Sequence, residues 1–334
     1  MYQTEFFGRE LLAICNYSGG LLSWKAAQLA VKKFGRNHTV LLYADTGNEA
    51  PDNYRFIVQG AALLGVPLHI VRALPDWAGG RMITPYDVAM NSGFLPDFNA
   101  PECSSALKRN PLNKWMTEHA TPDTHIVIGF SHEEVERAER MKKRFPHKRY
   151  CFPLLEKPYH FHCEIEQELR SLGVEPPKAY KLGFGHANCN DACLMAGKGH
   201  YVNLYLKKPD VFARAARFES RFCRKYGRTI FDQTGKYTLF DLIRDYKAGK
   251  LSRLTLENKH TMCACGVMWD AADAAGENTD VNPHNSLINA PAQVGETLAD
   301  DAGGNPGGNL YNSLENNEDS LAETMVDGKE DKSE

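Results

Sequence analysis

One segment near the start of the chain strongly constrains its fold. Residues 16–23 read Asn-Tyr-Ser-Gly-Gly-Leu-Leu-Ser and lie between an apolar strand predicted at 11–15 and a helix predicted at 24–34. Two consecutive glycines let the backbone turn sharply and approach a ligand closely. The amides of the turn and the positive end of the following helix favour a bound phosphate, and two serine hydroxyls add donors. We therefore predict a phosphate-binding turn between the first strand and the first helix.

Strands and helices alternate after this turn. An apolar run at 39–46 predicts a second strand, a helix follows at 51–64, and a third strand is predicted at 68–71. Strands that alternate with helices in this way predict a parallel sheet with right-handed crossovers. Ligands bind beyond the carboxyl ends of such strands, and Asp45 and Thr46 fall at that edge. An Asp-Thr-Gly triplet is also common in turns and helix caps, so a structural role for Asp45 stays open.

The charge of the chain is unevenly distributed. The whole sequence carries a net charge of −3, but the stretch from 270 to 334 contains 15 acidic residues against two lysines. The remaining 269 residues have 37 basic and 27 acidic side chains. A basic body suits a nucleotide or nucleic acid, and the acidic tail, rich in Gly, Asn and Asp, is expected to be disordered. Without an apolar run near 18 residues or a signal peptide, we expect a cytoplasmic protein.

The middle of the chain holds two further polar motifs. Cys103 opens a segment that continues to Lys108 and Arg109 and then to a Pro-Leu pair, where the two cations can face an anionic substrate or form a solvated basic turn. A fourth strand, predicted at 125–130, precedes Glu134 and Arg137, whose spacing puts both on one helical face. They can bind one ligand together or form a plain ion pair. A last strand is predicted after residue 150, with a helix at 161–172 and another at 209–226.

Four cysteines form a candidate metal or cluster site. Cys189 and Cys193 lie in the segment His-Ala-Asn-Cys-Asn-Asp-Ala-Cys, and Cys263 and Cys265 form a Cys-x-Cys pair about 70 residues later. A four-residue spacing would place the first two thiols on one face of a helix, and four sulfurs can hold zinc or an iron–sulfur cluster. The alternative is two unrelated pairs of buried thiols. Nine cysteines in an intracellular chain do not indicate a disulfide framework.

These motifs together resemble a known superfamily. The Ser-Gly-Gly turn with Ser23 is similar to the PP-loop of adenine-nucleotide alpha-hydrolases, and it lacks the lysine of the P-loop NTPases. The strand ending in Asp-Thr-Gly-Asn-Glu, the segment from Cys103 to Pro111-Leu112 and the Gly-x4-Glu-x2-Arg spacing resemble the phosphoadenylyl-sulfate (PAPS) reductase group. The two cysteine pairs resemble a phage and bacterial branch of that group, similar to DNA phosphorothioation sulfurtransferases. The resemblance covers roughly residues 8–268.

The resemblance implies a fold and a domain division. The fold would be α/β, a Rossmann-like parallel sheet with helices on both faces, followed by a small cysteine-containing helical region. The nucleotide-binding domain would span residues 1–180, the helical region with its metal or cluster 181–268, and the disordered acidic tail 269–334.

The resemblance also implies a site. ATP or PAPS would bind with Mg²⁺, and the partner protein would be a cysteine desulfurase or a thiol reductant. Asp45 would lie near the nucleotide or its metal, Lys108 would offset charge, and Cys103 would carry sulfur. The nucleotide would be held by Ser18, Gly19, Gly20, Ser23, Asp45, Thr46, Glu134 and Arg137, and a 4Fe–4S cluster or Zn²⁺ by Cys189, Cys193, Cys263 and Cys265.

Three functions follow as alternatives. The first is adenylylation of an acceptor with release of pyrophosphate, followed by sulfur transfer to a nucleic acid or a small molecule. The second is thiol-dependent reduction of PAPS or adenylyl sulfate, although the Glu-Cys-Gly-Leu-His terminus of true PAPS reductases is absent. The third is nucleotide binding without catalysis, because Leu21 and Leu22 leave the loop without the acidic residue that in the family commonly assists the metal-bound nucleotide.

Overall fold

A computed structural model of the chain describes residues 10–97 and 100–257. Its centre is a five-stranded sheet in the order β3-β2-β1-β4-β5, in which every neighbouring pair is parallel. The strands are β1 Ala13–Asn16, β2 Thr39–Asp45, β3 Leu68–Arg72, β4 His125–Val127 and β5 Arg149–Cys151. β2 and β3 lie on one side of β1, whereas β4 and β5 lie on the other side, so the order in which strands are added reverses next to β1. Ligand crevices in open parallel sheets form beside such a point.

Helices cover both faces of this sheet. They are α1 Leu21–Phe34, α2 Pro51–Leu64, α3 Pro85–Ser92, the single turn α4 Glu102–Ser104, α5 Asn110–His119, α6 Val135–Arg144 and α7 His162–Ser171. Alternate residues of β1 point to opposite sides, so Ala13 and Cys15 pack with α1, α2 and α7, whereas Ile14 packs with α5 and α6. Burial on both faces explains why β2 is apolar along nearly its whole length.

The last part of the described chain, from residue 178 onward, is helical. It contains α8 Lys178–Lys181, α9 Lys198–Lys207, α10 Pro209–Tyr226, α11 Leu239–Lys247 and α12 Arg253–Glu257. Aromatic and aliphatic side chains of α9, α10 and α11 form an apolar cluster separate from those beside the sheet. This cluster includes the wholly buried Tyr201 and Leu204. The helices therefore have a core of their own.

The α/β class with a parallel sheet, predicted from the alternation of strands and helices, is confirmed. The predicted helix at 51–64 coincides with α2 and the one at 209–226 with α10. The fourth and fifth strands are shorter than predicted: β4 ends at Val127, and the chain after Cys151 turns into a short 3₁₀ segment, Pro153–Leu155. A proline at 153 has no amide hydrogen with which to extend the fifth strand.

One local prediction is wrong. Cys189 and Cys193 do not share the face of a helix: residues 188–191 form a 3₁₀ turn, and α9 begins only at Lys198. Cys189, Asn190 and Asp191 all have φ values between 51° and 62°. Tertiary contacts hold this left-handed run, because Lys208 donates to the side chains of Asn190 and Asp191 at 3.3 and 2.5 Å.

Several predictions fall on residues outside the described ranges. Cys263 and Cys265, the acidic tail at 269–334 and the first nine residues belong to this part of the chain. Among the described helices, none combines the length and the apolar character needed to cross a membrane.

Candidate functional site

The predicted phosphate-binding turn connects β1 to α1. Gly19 has φ +77°, and a Cβ there would lie 2.7 Å from Asn53 Oδ1, so the position requires glycine. Gly20 is extended and precedes the helix as its N-cap. Ser23 Oγ donates to the Gly20 carbonyl at 2.8 Å and accepts from the Ser18 amide at 3.2 Å. The two serines thus close the turn, with the Ser18 side chain exposed beside it.

A cavity of about 650 Å³ opens over this turn. It is the size of an ordinary small-molecule site. Motifs far apart in the sequence converge on it: the turn, the basic pair after Cys103, the segment after β4 and the residues just before Cys189. The predicted site residues in its wall are Ser18, Gly20, Ser23, Lys108, Glu134 and Arg137.

Four residues that line this cavity each have a buried polar atom without a hydrogen-bond partner among the described residues. These atoms are Asn16 Oδ1, Tyr17 Oη, Tyr43 Oη and His186 Nδ1. An unsatisfied buried polar atom is costly, so such a group points to a ligand or water that completes it. Burial, with smaller contributions from His200 and Lys108, lowers the pKa of His186 to about 3. The imidazole is therefore neutral at physiological pH and offers a donor and an acceptor rather than a charge.

Lys108 and Arg109 reach the cavity from an unusual piece of backbone. Residues Ser105–Arg109 form a π-helical turn between α4 and α5, a feature frequent at functional sites. Burial alone would lower the pKa of Lys108, but Cys189, Glu49, Cys193 and Cys103 outweigh burial and raise it. The ammonium is consequently a fixed positive charge in the wall of the cavity.

Glu134 and Arg137 form an ion pair with each other while lining the same cavity. Glu134 also accepts a hydrogen bond from the Ser131 amide at 2.8 Å, which caps the short 3₁₀ segment before α6. The Arg137 guanidinium stacks over the Phe130 ring at 4.1 Å. Both readings of this spacing are therefore compatible with the geometry, since the pair is formed and still faces the cavity.

Asp45 and Thr46 lie outside the cavity lining. Asp45 is directly opposite Arg72 in the register of β2 and β3, and its Oδ2 accepts from that guanidinium at 2.9 Å. Its Oδ1 accepts from Tyr54 Oη at 2.6 Å and from the Gly47 amide at 3.0 Å. Thr46 donates to Glu49 at 2.8 Å. Both carboxylate oxygens of Asp45 are thus engaged by the protein itself.

Glu49 is a site residue that the sequence reasoning missed. One carboxylate oxygen accepts from Thr46, and the other accepts from Asn53 Nδ2 and from the Cys189 amide, both at 3.0 Å. Asn48 donates to the Cys189 carbonyl at 3.2 Å. Burial raises the pKa of Glu49, and Lys108 opposes that rise. The segment after β2 therefore fixes the left-handed turn that carries Cys189.

Three cysteines meet beside Lys108. Cys103, Cys189 and Cys193 interact electrostatically with one another and with this lysine. Burial raises the pKa of Cys103 to about 12 and raises the pKa values of Cys189 and Cys193, while Lys108 lowers all three. The thiol forms are favoured at neutral pH, which opposes a role for Cys103 as a free nucleophile.

The described cysteines alone do not complete a metal site. Within residues 10–97 and 100–257, no group of three His, Cys, Asp or Glu side chains is arranged to hold a metal ion. The remaining two predicted ligands, Cys263 and Cys265, lie outside those ranges. Thiolate sulfurs are nevertheless the donors that zinc and iron–sulfur clusters prefer. These cysteines fit that donor set once the thiols lose their protons, and the nearby Lys108 favours that loss.

Comparison with protein-family models gives no match to this chain, and comparison with curated proteins gives none either.

Gly129 lies shortly after the end of β4 and packs closely against the backbone at the start of α1. A Cβ at this position would lie 2.8 Å from the Leu22 carbonyl oxygen and 2.9 Å from the Ser23 Cα. We expect Gly129→Ala to lower the free energy of unfolding by about 1–3 kcal/mol, because backbone atoms of α1 must move to admit the methyl group. Urea unfolding of the variant measures this loss. Unchanged stability would contradict the close approach of β4 to the turn.

Proposed function

We propose that the chain is an adenine-nucleotide-binding enzyme with a Rossmann-like PP-loop fold that adenylylates an acceptor and releases pyrophosphate. One observation carries this proposal: the Ser18–Ser23 turn, Lys108, Arg137 and His186 line a single cavity of about 650 Å³ at the carboxyl edge of a parallel sheet. Amides at a helix N-terminus together with fixed cations match a polyphosphate.

In the proposed reaction an acceptor oxygen attacks the α-phosphorus of ATP. The bond from that phosphorus to the bridging oxygen breaks, and pyrophosphate leaves with the electron pair. The terminal sulfur of a persulfide on a donor such as a cysteine desulfurase then attacks the acceptor and displaces AMP, which joins the acceptor to the donor through a disulfide. A thiol reductant breaks this disulfide and leaves the sulfur on the acceptor. Magnesium bound to the phosphates would neutralise part of their charge when present.

The protein's own groups supply positioning and charge stabilisation. The turn amides and the Ser18 and Ser23 hydroxyls bind phosphate oxygens, and Lys108 faces the charge that develops as pyrophosphate leaves. Arg137, held over Phe130, adds a second cation. Preorganised donors of this kind need no reorientation during the reaction, which is the source of their effect on the rate.

Two other functions remain as rival proposals. The cysteines beside Lys108 favour a thiol-dependent reductase acting on PAPS or adenylyl sulfate, in which the same cavity would hold the nucleotide sulfate. Nucleotide binding without turnover is favoured by Leu21 and Leu22, which give the turn no charged side chain of its own.

Product analysis separates the three functions. The full chain, purified without oxygen, is incubated with ATP, Mg²⁺ and a mixture of bulk RNA and short DNA, and separately with PAPS and a dithiol. We expect pyrophosphate from the first mixture and no sulfite from the second. Sulfite without pyrophosphate would replace the proposal by the reductase. Nucleotide binding in calorimetry without either product would reduce it to a binding protein.

A further inference from the structure

The outer face of α10 carries a row of arginines. Arg214, Arg217, Arg221 and Arg224 are all exposed and follow one another at spacings of three and four residues. Such spacing puts them in one stripe along the helix. With a rise of 1.5 Å per residue, the stripe is about 15 Å long.

Among the residues that the structure describes, little neutralises Arg214, Arg217 and Arg221 of this stripe. Arg214 makes one exposed, long contact of 3.6 Å with Asp210. Arg217 and Arg221 make no ion pair with any residue in the part of the chain that the structure describes. Guanidinium groups held close together without acidic partners repel each other, so the alignment of Arg214, Arg217 and Arg221 favours an anionic ligand. Arginine rather than lysine also suits phosphate, because its planar fork binds two oxygens at once.

The stripe borders a second cavity of about 500 Å³, lined by all four arginines together with Asn48, Tyr86, Phe218 and Ser220. Tyr86 stacks on Phe218 with ring centroids 4.5 Å apart. Asn48 also binds the carbonyl of Cys189, and Tyr86 interacts electrostatically with Cys189 and Cys193. This cavity therefore connects the arginine stripe to the turn that carries the thiols.

We propose that the arginine stripe of α10 binds the phosphate backbone of a single-stranded nucleic acid and leads one of its nucleotides into the adjoining cavity. Cations along a groove with an aromatic side chain are the features by which proteins bind single strands. At about 3.4 Å per nucleotide along one strand, a stripe of this length covers about four phosphates. The claim that this strand is the acceptor rests on the proposed function, whereas the binding does not.

Oligonucleotide binding to the full chain tests the proposal. Fluorescence anisotropy with a labelled single strand of 20 nucleotides, without ATP, gives the dissociation constant over a range of salt concentrations. Each phosphate contact on a single strand contributes about 0.7 to the slope of log affinity against log salt. We expect the double variant Arg217→Ala, Arg221→Ala to lower the magnitude of this slope by about 1.4 and to weaken binding at every salt concentration.

A matched control removes the same charge elsewhere. Lys32 on α1 and Lys143 on α6 are exposed and have no partner among the described residues. The double variant Lys32→Ala, Lys143→Ala should keep the wild-type slope. An equal change in both double variants, or in neither, would overturn the proposal, because the effect would then follow net charge rather than the stripe.

Two further measurements define the ligand and separate this proposal from the proposed function. A polyglutamate peptide of 20 residues should compete much more weakly than an unlabelled oligonucleotide, and equal competition would assign the stripe to an acidic protein segment instead. ATP affinity should be unchanged in the Arg217→Ala, Arg221→Ala variant. If the wild type binds the oligonucleotide but no ATP, the proposed function fails and the nucleic-acid surface stands.

Discussion

Replacing Gly20 by valine is expected to weaken ATP binding at least about 100-fold, or about 2.8 kcal/mol. A Cβ at Gly20 would lie 3.2 Å from Tyr180 Oη and 3.5 Å from Ser18 Oγ, and valine adds two methyl groups to this already close contact in the wall of the cavity. The backbone of Gly20 is extended, with φ −95°, which valine adopts readily. The loss should therefore appear in binding and not in folding. Calorimetric titration with ATP measures it.

A substitution at Gly20 tests phosphate binding more cleanly than a substitution at Gly19. Any side chain at Gly19 must adopt φ +77° and collide with Asn53 and Ile57, so a variant there would lose stability as well. Ala62→Val, on the exposed side of α2, adds the same β-branching away from the cavity and should leave ATP affinity unchanged. If Gly20→Val binds ATP as tightly as this control, the turn does not hold the phosphates.

The second large effect is expected for Lys108→Ala. A preorganised group that stabilises developing charge is worth about 10²–10³ in turnover, so pyrophosphate release should fall by that factor. The variant should also react more slowly with iodoacetamide at a given pH. Lys108 lowers the pKa values of Cys189, Cys193 and Cys103, so its loss raises them further and reduces the thiolate fraction. Product assays and alkylation rates measure the two effects independently.

Lys114→Ala serves as the control for this variant. Lys114 is exposed on α5, six residues further along the chain, and its removal should change neither rate. If Lys108→Ala slows alkylation but keeps full turnover, the lysine belongs to the thiol site alone. If Lys108→Ala changes neither the turnover rate nor the alkylation rate, the placement of its ammonium beside the cavity and the cysteines is contradicted.

The parts of the fold that follow from local pattern could be predicted from the sequence. The apolar run at 39–46 and the helix after Pro51 match β2 and α2 because burial and capping act over a few residues. The Ser-Gly-Gly turn was predictable for the same reason, since the positive φ of Gly19 is a local demand of the backbone. The alternation of such units was enough to predict the parallel sheet.

The details that depend on distant partners could not be predicted. The spacing of Cys189 and Cys193 suggested a helix, but the hydrogen bond that Glu49 accepts from the Cys189 amide and the one that Lys208 donates to Asp191 hold that segment in a left-handed turn. Asp45 looked like a ligand because it lies at the carboxyl end of β2, and nothing local indicated that Arg72 stands opposite it on the neighbouring strand β3. The arginine stripe needed only the helical period of α10, which was a signal that the sequence did contain.

The most direct test of the account is the structure of the protein bound to an ATP analogue with a methylene bridge between its α and β phosphates. We expect the phosphates within about 3 Å of the backbone amides of residues 20–23 and of the Ser18 and Ser23 hydroxyls. Lys108 and Arg137 should lie on the other side of the phosphate chain. A nucleotide bound only in the arginine-lined cavity beside α10, with the cavity over the turn empty, would contradict the account.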